Sequence, residues 1–480
     1  MTIRHLAAAA FAATLSSASW GQSHATGVSV TAIVGATVIH PERDAASAAA
    51  QETVLVAGDR IVAVGPPATT PVPKGARVID GKGKWLIPGL IDSHVHFFQS
   101  GNLYTRPDGA DFGAYVPYAK EVARNQARLP ATFKVWLASG VTSVVDIGGP
   151  MWNFRMRDAA RKSPAAPRVA VAGPLVSSID DAKLDIGDPP IVRASTPDEA
   201  VALVKRELAE KPDYIKVWFV FTKAEDLPKQ EVVVKAAGDA AHAAGVPLAV
   251  HATELATAKA AMRAGADYLV HSVDDEPIDD EWMALAKKNH IIYCPTLFVI
   301  NGYEYALSGT WKPTDAELRL ADPQILEAMD ALHKMPAEAI PERVKKLMAS
   351  PPHPEPGKVS LDNLRKVWDS GIPVAMGTDA GNVGTLHGPS VFREMDYMTR
   401  AGLTPLQVLK SATVNGAKAM RMEREIGVIE KGRYADLVLL DKDPLASVEN
   451  LSHATLVMKG GKVFKPQELM KSIETTDGHR

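Results

Sequence analysis

Two histidines stand one residue apart at the end of an apolar run, LIPGLIDSHVHFF, at positions 86–98. Because alternate residues of a strand point to the same side, His94 and His96 would project together from its end. Two neutral imidazoles at this spacing can bind one transition-metal ion, but hydrogen-bonded core histidines would give the same pattern. Asp92 shares the parity of His94 and could either orient a ligand imidazole or cap the strand towards solvent. The pair alone leaves both interpretations open.

Other predicted strands end in groups that can also bind a metal. His251 closes LAVH, His271 follows YLV, and Asp379 follows AMGT. Lys216 stands inside the apolar segment DYIKVWF, where a lysine without a partner is costly to bury as a free cation. The gathering of these groups at strand ends predicts a metal centre rather than a structural core.

Eight apolar, strand-like segments alternate with helical patterns through most of the chain. They are residues 85–96, 141–148, 168–174, 213–220, 246–251, 267–272, 290–297 and 372–380. This alternation predicts an α/β fold, a (β/α)₈ barrel at residues 86–423, in which active sites lie at the carboxyl ends of the strands. Short β-rich runs at residues 26–85 and 424–470 predict a small β-sandwich domain formed from both chain ends.

An insert of about sixty residues, roughly 298–356, separates the last two barrel strands, which is far longer than a usual connection. We expect this insert to rise over the catalytic face as a lid or specificity element. A peripheral decoration or an oligomer contact would also explain it.

The overall composition and the amino terminus limit the choice of partners and compartment. The formal charge of −3, without a polybasic block, argues against nucleic acid and anionic membranes as partners. Cys294 is the single cysteine, so no internal disulfide can form. Residues 1–25 combine a basic start, a short apolar run and small residues, as in a signal peptide, although a disordered alanine-rich leader would look similar. We therefore expect an exported protein, periplasmic or secreted, without a membrane span in the mature chain.

Several motifs together resemble the amidohydrolase superfamily over roughly residues 30–465: PGLIDSHVH, HATELATAKAAMRAGADYLVHS, GTDA, and GLTPLQVLKSATVNGAKAM with IGVIEKGRYADLVLLDKDPL. The lysine of the fourth strand is similar to that of the binuclear branch, which includes Xaa-Pro and Xaa-Arg dipeptidases and ochratoxin-hydrolysing enzymes. The resemblance implies a barrel with a small β-sandwich and two divalent metal ions. Zinc suits this ligand set, and manganese, cobalt or iron would also fit.

The resemblance also implies a ligand assignment. His94, His96 and Asp379 would hold one ion, and His251 and His271 the other. Lys216 would carry carbon dioxide as N6-carboxylysine and bridge the two ions. A salt bridge between Lys216 and Asp379 in a one-metal site is the alternative.

The mechanism expected of such a centre follows from charge. Two cations would lower the pKa of a bridging water enough to yield hydroxide, and one of them would polarise the substrate carbonyl for attack. Asp379 would accept the proton and pass it to the departing amine.

Three further residues are candidates for substrate contact. His387 is a candidate catalytic residue that could contact the substrate or the transition state, or simply cap the following helix. Trp218 could line the pocket or fill the barrel. Arg193 could clamp a substrate carboxylate or simply be solvated.

The sequence thus predicts an exported metal-dependent amidohydrolase that cleaves a C–N amide bond of a small molecule, a dipeptide or an N-acyl amino acid. Alternatives are a cyclic-amide hydrolase such as an imidazolonepropionase, a one-metal deaminase, and a non-catalytic scaffold. The filled ligand positions argue against the scaffold. A homo-oligomer is plausible, but no interface can be read from the sequence.

Overall fold

The computed structural model describes residues 29–220, 224–352 and 355–477. The predicted signal peptide, residues 1–25, lies outside the described residues. Within them, the strands form one mixed sheet and two parallel sheets. The fold is therefore α/β, as the alternation of strand and helix patterns predicts.

The mixed sheet joins the two ends of the chain. Its strands run in the order β17-β16-β15-β5-β1-β2-β3, with β4 paired to β1. The bounds are β1 (Val30–Ile39), β2 (Ala49–Ala57), β3 (Arg60–Gly65), β4 (Arg77–Asp80), β5 (Trp85–Pro88), β15 (Leu437–Leu440), β16 (Ala454–Lys459) and β17 (Lys462–Phe464). The antiparallel pairing of β5 with β15 sets Leu86 opposite Leu439, and both side chains are buried. This pairing joins the carboxyl-terminal strands and the amino-terminal strands in one sheet.

Parallel strands supply the centre of the molecule. One sheet contains β6 (Leu90–Val95), β7 (Val141–Asp146) and β8 (Arg168–Val171). The other runs β10-β9-β11-β12-β13-β14, with bounds β9 (Leu175–Ser177), β10 (Ile191–Arg193), β11 (Ile215–Trp218), β12 (Leu248–His251), β13 (Tyr268–Val270) and β14 (Ile292–Cys294). Seven of the eight predicted barrel segments therefore contain strands.

The eighth segment, residues 372–380, pairs only through isolated bridges. Val374 bridges to Tyr293 of β14, and Ala380 bridges to Val95 of β6. A further bridge joins Ala172, just after β8, to Tyr214, just before β11. The eighth segment thus links the edge strands β14 and β6, and a bridge beside β8 and β11 links the two sheets a second time. Ladder pairing is not continuous among the described strands.

Helices connect most of the strands. They are α1 (Tyr118–Ala138), α2 (Trp152–Lys162), α3 (Pro197–Leu208), α4 (Leu227–Ala243), α5 (Leu255–Arg263), α6 (Asp280–Lys288), α7 (Val299–Leu307), α8 (Asp315–Leu320), α9 (Pro323–Met329), α10 (Glu342–Ala349), α11 (Lys358–Asp369), α12 (Ser390–Arg400), α13 (Pro405–Lys410), α14 (Gly416–Ala419) and α15 (Pro466–Asp477). Gly245 and Gly265 end α4 and α5 with φ of 73° and 98°, which glycine adopts at little cost. Among the described helices, none is long and apolar enough to cross a membrane.

The buried pairing between the two chain ends should matter for stability. Leu439 is 1% exposed, whereas Val78 on β4 of the same sheet is 56% exposed. We expect Leu439→Ala to lower the free energy of unfolding by about 2–5 kcal/mol, because it removes buried methyl groups and leaves a cavity. Val78→Ala should stay within about 0.5 kcal/mol. Urea unfolding of both variants tests this. Equal losses of unfolding free energy in the two variants would contradict a buried contact between the two ends of the chain.

Candidate metal centre

The first and last predicted ligand segments are adjacent in the structure. The backbone of β6 and residues 372–380 exchange hydrogen bonds: Asp379 N donates to His94 O at 2.7 Å, and His96 N donates to Ala380 O at 2.8 Å. The Nε2 atoms of His94 and His96 are 3.2 Å apart. Asp379 Oδ1 lies 3.3 Å from His94 Nε2 and 3.1 Å from His96 Nε2. Three ligand-type atoms therefore converge at one point.

A buried carboxylate holds these two segments together. Asp92 Oδ1 accepts from His94 N at 3.2 Å and from Thr378 N at 3.0 Å, and its Oδ2 accepts from the Thr378 hydroxyl at 2.6 Å. Its contacts are thus with backbone and hydroxyl groups rather than with an imidazole ring, and because Asp92 is fully buried, the alternative of solvent-side capping is wrong. Burial raises the pKa of Asp92 to about 7. Asp92 positions the ligand segments instead.

Close packing beneath the ligands also requires Gly377. A Cβ added there would lie 2.8 Å from the backbone nitrogen of His94 and would collide with the Cys294 sulfur. Glycine therefore lets residues 372–380 approach β6 closely enough for Asp379 to reach the two imidazoles.

Hydrogen bonds orient two of the imidazoles. His96 donates from Nδ1 to the carbonyl of Gly148 at 2.7 Å, so its Nε2 is directed towards the site. His271 Nδ1 lies 2.7 Å from the Thr296 hydroxyl, which leaves its Nε2 available. These contacts fix the orientation of both rings.

The remaining candidates join the same cluster. His251, the last residue of β12, packs against His271 with ring centroids 4.3 Å apart, and His94 lies 4.9 Å from His271 in the same measure. One group of ligand atoms, from His94, His271 and Asp379, falls within 4.8 Å of one another. The structure thus brings all four histidines and Asp379 together, without separating them into the two predicted sets.

Lys216, on β11, is 1% exposed, and its Nζ has no hydrogen-bond partner among the described residues. Burial lowers the pKa of Lys216 to about 7. Burial, followed by nearby positive charges that include Lys216, also lowers the pKa values of three histidines well below their usual value. These are His94, His251 and His271. Burial therefore disfavours the charged forms of these three imidazoles and of the Lys216 amine.

Backbone strain concentrates at this cluster. His271, Thr296 and Asp379 have φ of 77°, 44° and 61°, in the left-handed region that side chains other than glycine rarely adopt. Such conformations persist where the surrounding structure enforces them, commonly at functional sites.

The donor set fits metal binding. The Nε2 atoms of His94 and His96 face each other at hydrogen-bond distance, while Lys216 Nζ, His94 Nδ1 and Asp379 Oδ1 form no hydrogen bond of good geometry. Buried polar groups without partners are costly, and a divalent cation bound by imidazole and carboxylate removes that cost. The residues present therefore suit a metal better than they suit a metal-free core.

The cluster opens into a cavity of about 450 Å³. Trp218 lines it and meets His251 edge-on, with centroids 6.1 Å apart. The insert lines it too, through residues 299–301, 303 and 304 of α7 and through Glu355. Members of the ligand cluster and residues of the insert therefore share one cavity.

Sequence reasoning missed a polar network in this cavity. Arg106 forms a two-pronged ion pair with Asp108 and donates from Nη1 to Asn382 Oδ1 at 3.0 Å. The Tyr303 hydroxyl donates to the same oxygen at 2.7 Å, and Asn382 Nδ2 donates to Asp379 O at 3.1 Å. The position of Asn382, three residues after Asp379, was the available signal. Nothing local distinguished Arg106 from other loop arginines.

Two predicted substrate residues lie elsewhere. His387 donates from Nε2 to His96 O at 3.2 Å and stacks on Phe97 with centroids 5.4 Å apart; it does not line the cavity. Arg193 is exposed, bonds Ser195 Oγ at 3.1 Å, and is also absent from the cavity wall. These positions support no direct substrate contact by His387 or Arg193. Trp218, in contrast, lines the cavity and is placed where it could contact a substrate.

Solved structures with the same overall fold include a Xaa-Pro dipeptidase with bound methionine in its active site, 24% identical, with a TM-score of 0.67 over 91% of this chain and all of that one. Ochratoxinase of A. niger is 20% identical, with a TM-score of 0.66 over 92% of this chain and 96% of that one. Among curated sequences, the imidazolonepropionase of Brevibacillus brevis is 25% identical and covers 81% of this chain and 82% of its own length.

Residues 85–464 match the Amidohydrolase family, and this range includes every residue of the ligand cluster. Because the match spans most of the chain, the protein belongs to the amidohydrolase family and is a hydrolase that acts on carbon–nitrogen bonds.

Proposed function

We propose that this protein is an exported metal-dependent amidohydrolase that cleaves the amide bond of dipeptides or N-acyl amino acids. The observation that carries the proposal is the clustering of four histidines, Asp379 and the unpartnered Lys216, all of which except His94 line one cavity. Export rests on the composition of residues 1–25. The choice of amide substrate rests on the cavity described below.

The proposed architecture is a closed (β/α)₈ barrel at residues 86–423 with a β-sandwich domain at 26–85 and 424–470. The bridges at Tyr293–Val374 and Val95–Ala380, together with the one at Ala172–Tyr214, support closure of the parallel strands into a ring. In such a barrel the carboxyl ends of the strands form the active-site face.

Two divalent cations, proposed as zinc, would be held by His94, His96, His251, His271 and Asp379, with Lys216 as the bridging carboxylated lysine. A buried amine with a lowered pKa supports this modification, because carbon dioxide reacts with the neutral amine. The chemistry that such cations supply when bound is a lowered pKa of water and a polarised carbonyl.

The residues of the chain have separate tasks in the proposed reaction. Asp379, whose Oδ1 faces the cluster, accepts a proton from the attacking water and transfers it to the departing amine. The insert, which contributes residues to the cavity wall, would limit the access of bulk water. Trp218 gives an apolar wall beside His251.

Arg106 is the arginine of the cavity wall, and it is the group that we assign to the substrate carboxylate. Asp108 and Asn382 fix its guanidinium but leave two of its N–H groups without assigned partners. Guanidinium binds carboxylate with directional, charge-assisted hydrogen bonds. A cavity of about 450 Å³ is within the range of small-ligand pockets.

The second candidate function is hydrolysis of a cyclic amide. The curated relatives named imidazolonepropionase favour it, including one from Rhizorhabdus wittichii that is 27% identical over 82% of this chain. Such a substrate would use the same metal cluster and differ in how the ring occupies the cavity.

Metal-reconstituted protein should hydrolyse members of Xaa-Pro, Xaa-Arg and N-acyl amino-acid libraries, and a chelator should abolish the activity because the ligand cluster would lose its cations. Lys216→Met should lose activity and metal together. Mass spectrometry of the native protein should find the mass of one carbon dioxide on Lys216.

Ring opening of imidazolonepropionate without peptide cleavage would support the second candidate instead. One ion per chain with an unmodified lysine would contradict the binuclear centre.

The hydrogen bonds from Thr378 to the buried Asp92 form a brace that connects the two ligand segments, and they can be tested directly. Thr378→Val removes the hydroxyl donor to Asp92 Oδ2 with little change of shape, so we expect metal affinity to fall about tenfold or more. Thr378→Ser keeps the donor and should bind metal like the parent protein. Metal titration with a competing chelator measures both, and equal affinity in the valine variant would show that the brace does not position the ligands.

Arg106→Met should raise KM by about tenfold for substrates with a free carboxylate, because a charge-assisted hydrogen bond is lost. The corresponding amidated substrates should be affected little. Arg193→Met is the matched control and should leave both KM values unchanged. Steady-state kinetics on paired free and amidated substrates tests this, and an equal rise for both forms would indicate a structural role for Arg106.

A further inference from the structure

A second large cavity, of about 500 Å³, lies far from the metal cluster. Its wall includes Arg168, the first residue of β8, and Asp213, which precedes β11, so it is at the amino ends of these strands. Among the metal-ligand candidates, by contrast, His251 closes β12, and His96 and His271 directly follow β6 and β13. The two cavities share no lining residue among those described.

The wall of this cavity is strongly cationic. Four of its residues carry a positive charge, whereas Asp213 is the single acidic residue among its described lining residues. The four are Arg161, Arg168, Arg421 and Lys459. Asp213 already accepts a hydrogen bond from Val171 N at 2.8 Å. The lining therefore holds an excess of positive charge.

Lys459 is the cation least compensated by the protein. It is half-buried at the end of β16, and no hydrogen bond or ion pair of its ammonium group is found among the described residues. Arg168 is nearby and repels it, while the Asp436 carboxylate, which attracts it, is already bonded to Arg168 at 2.8 Å and to Gly460 N at 2.7 Å. A cation partly removed from water beside another cation is unfavourable unless an anion joins it.

The other arginines differ in how firmly they are held. Arg168 is stacked on Tyr434, 3.8 Å from its ring centre, and is fixed in place by Asp436. Arg421, just after α14, is exposed at the cavity, and its φ of 55° is the left-handed conformation that often ends a helix and favours glycine. Its Nη1 donates to the carbonyl of Gly245 at 3.4 Å.

We propose that this cavity is a second binding site, which takes a small molecule carrying at least two negative charges as phosphate or carboxylate groups. Guanidinium and ammonium groups at one concave surface match such anions. The volume accommodates a metabolite-sized ligand. The site is independent of the proposed hydrolytic reaction because it lies at the opposite ends of the strands.

Isothermal titration calorimetry of the metal-loaded full chain with inorganic phosphate and with citrate, in chloride buffer of constant ionic strength, tests the proposal. We expect saturable binding of at least one probe and about tenfold weaker binding by Lys459→Met. Lys465→Met, which removes an exposed lysine outside the cavity, is the control for net charge and should bind like the parent.

Arg421→Gly removes a second cation while it relieves the strained φ, so it should weaken binding without lowering the unfolding temperature. If binding of both probes is absent, or is unchanged in both the Lys459 and Arg421 variants, the proposal is wrong. Probe binding that competes with substrate and ignores these substitutions would assign the anion to the metal cluster and would also overturn the proposal.

Discussion

The contact between β6 and residues 372–380 is the interaction on which the candidate centre depends. Two backbone hydrogen bonds, Asp379 N to His94 O and His96 N to Ala380 O, bring together ligands separated by nearly three hundred residues. Asp92 adds a fully buried brace through Thr378. Because this brace is shielded from water, its hydrogen bonds are costly to leave unmade, and they hold the ligand segments in register.

Burial then determines the chemical state of the cluster. Removing imidazoles and an amine from water disfavours their charged forms, so the pKa values of His94, His251 and His271 fall, and that of Lys216 falls to about 7. The same desolvation makes unpartnered donors and acceptors expensive. Neutral nitrogen ligands and a reactive amine are therefore consequences of where the strands end, not of any one neighbour.

The ligand cluster and other parts of the cavity wall come from different parts of the chain. The ligand cluster belongs to short parallel strands and the residues just after them. Other parts of the wall come from the loop that carries Arg106 and from the insert, through Tyr303 and neighbouring residues. Asn382 connects the two, since it bonds to Arg106, to Tyr303 and to the backbone of Asp379. Substrate choice can therefore vary through the loops while the reactive centre stays unchanged.

Much of the centre was determined by the sequence alone. Residues at i and i+2 of a strand face one way, so the H-x-H pattern predicted that His94 and His96 act together, and apolar runs ending in His251, His271 and Asp379 predicted where they would meet. Local periodicity carries that information because it depends on covalent geometry. The roles of Asp92, Arg106 and His387 were decided only by tertiary structure. Asp92 accepts hydrogen bonds from backbone and hydroxyl donors of a distant segment. Arg106 lines the cavity from a loop, and the His387 ring stacks on Phe97 outside the cavity wall. Contacts of this kind join residues far apart in the chain, and no local pattern specifies which of them will be neighbours.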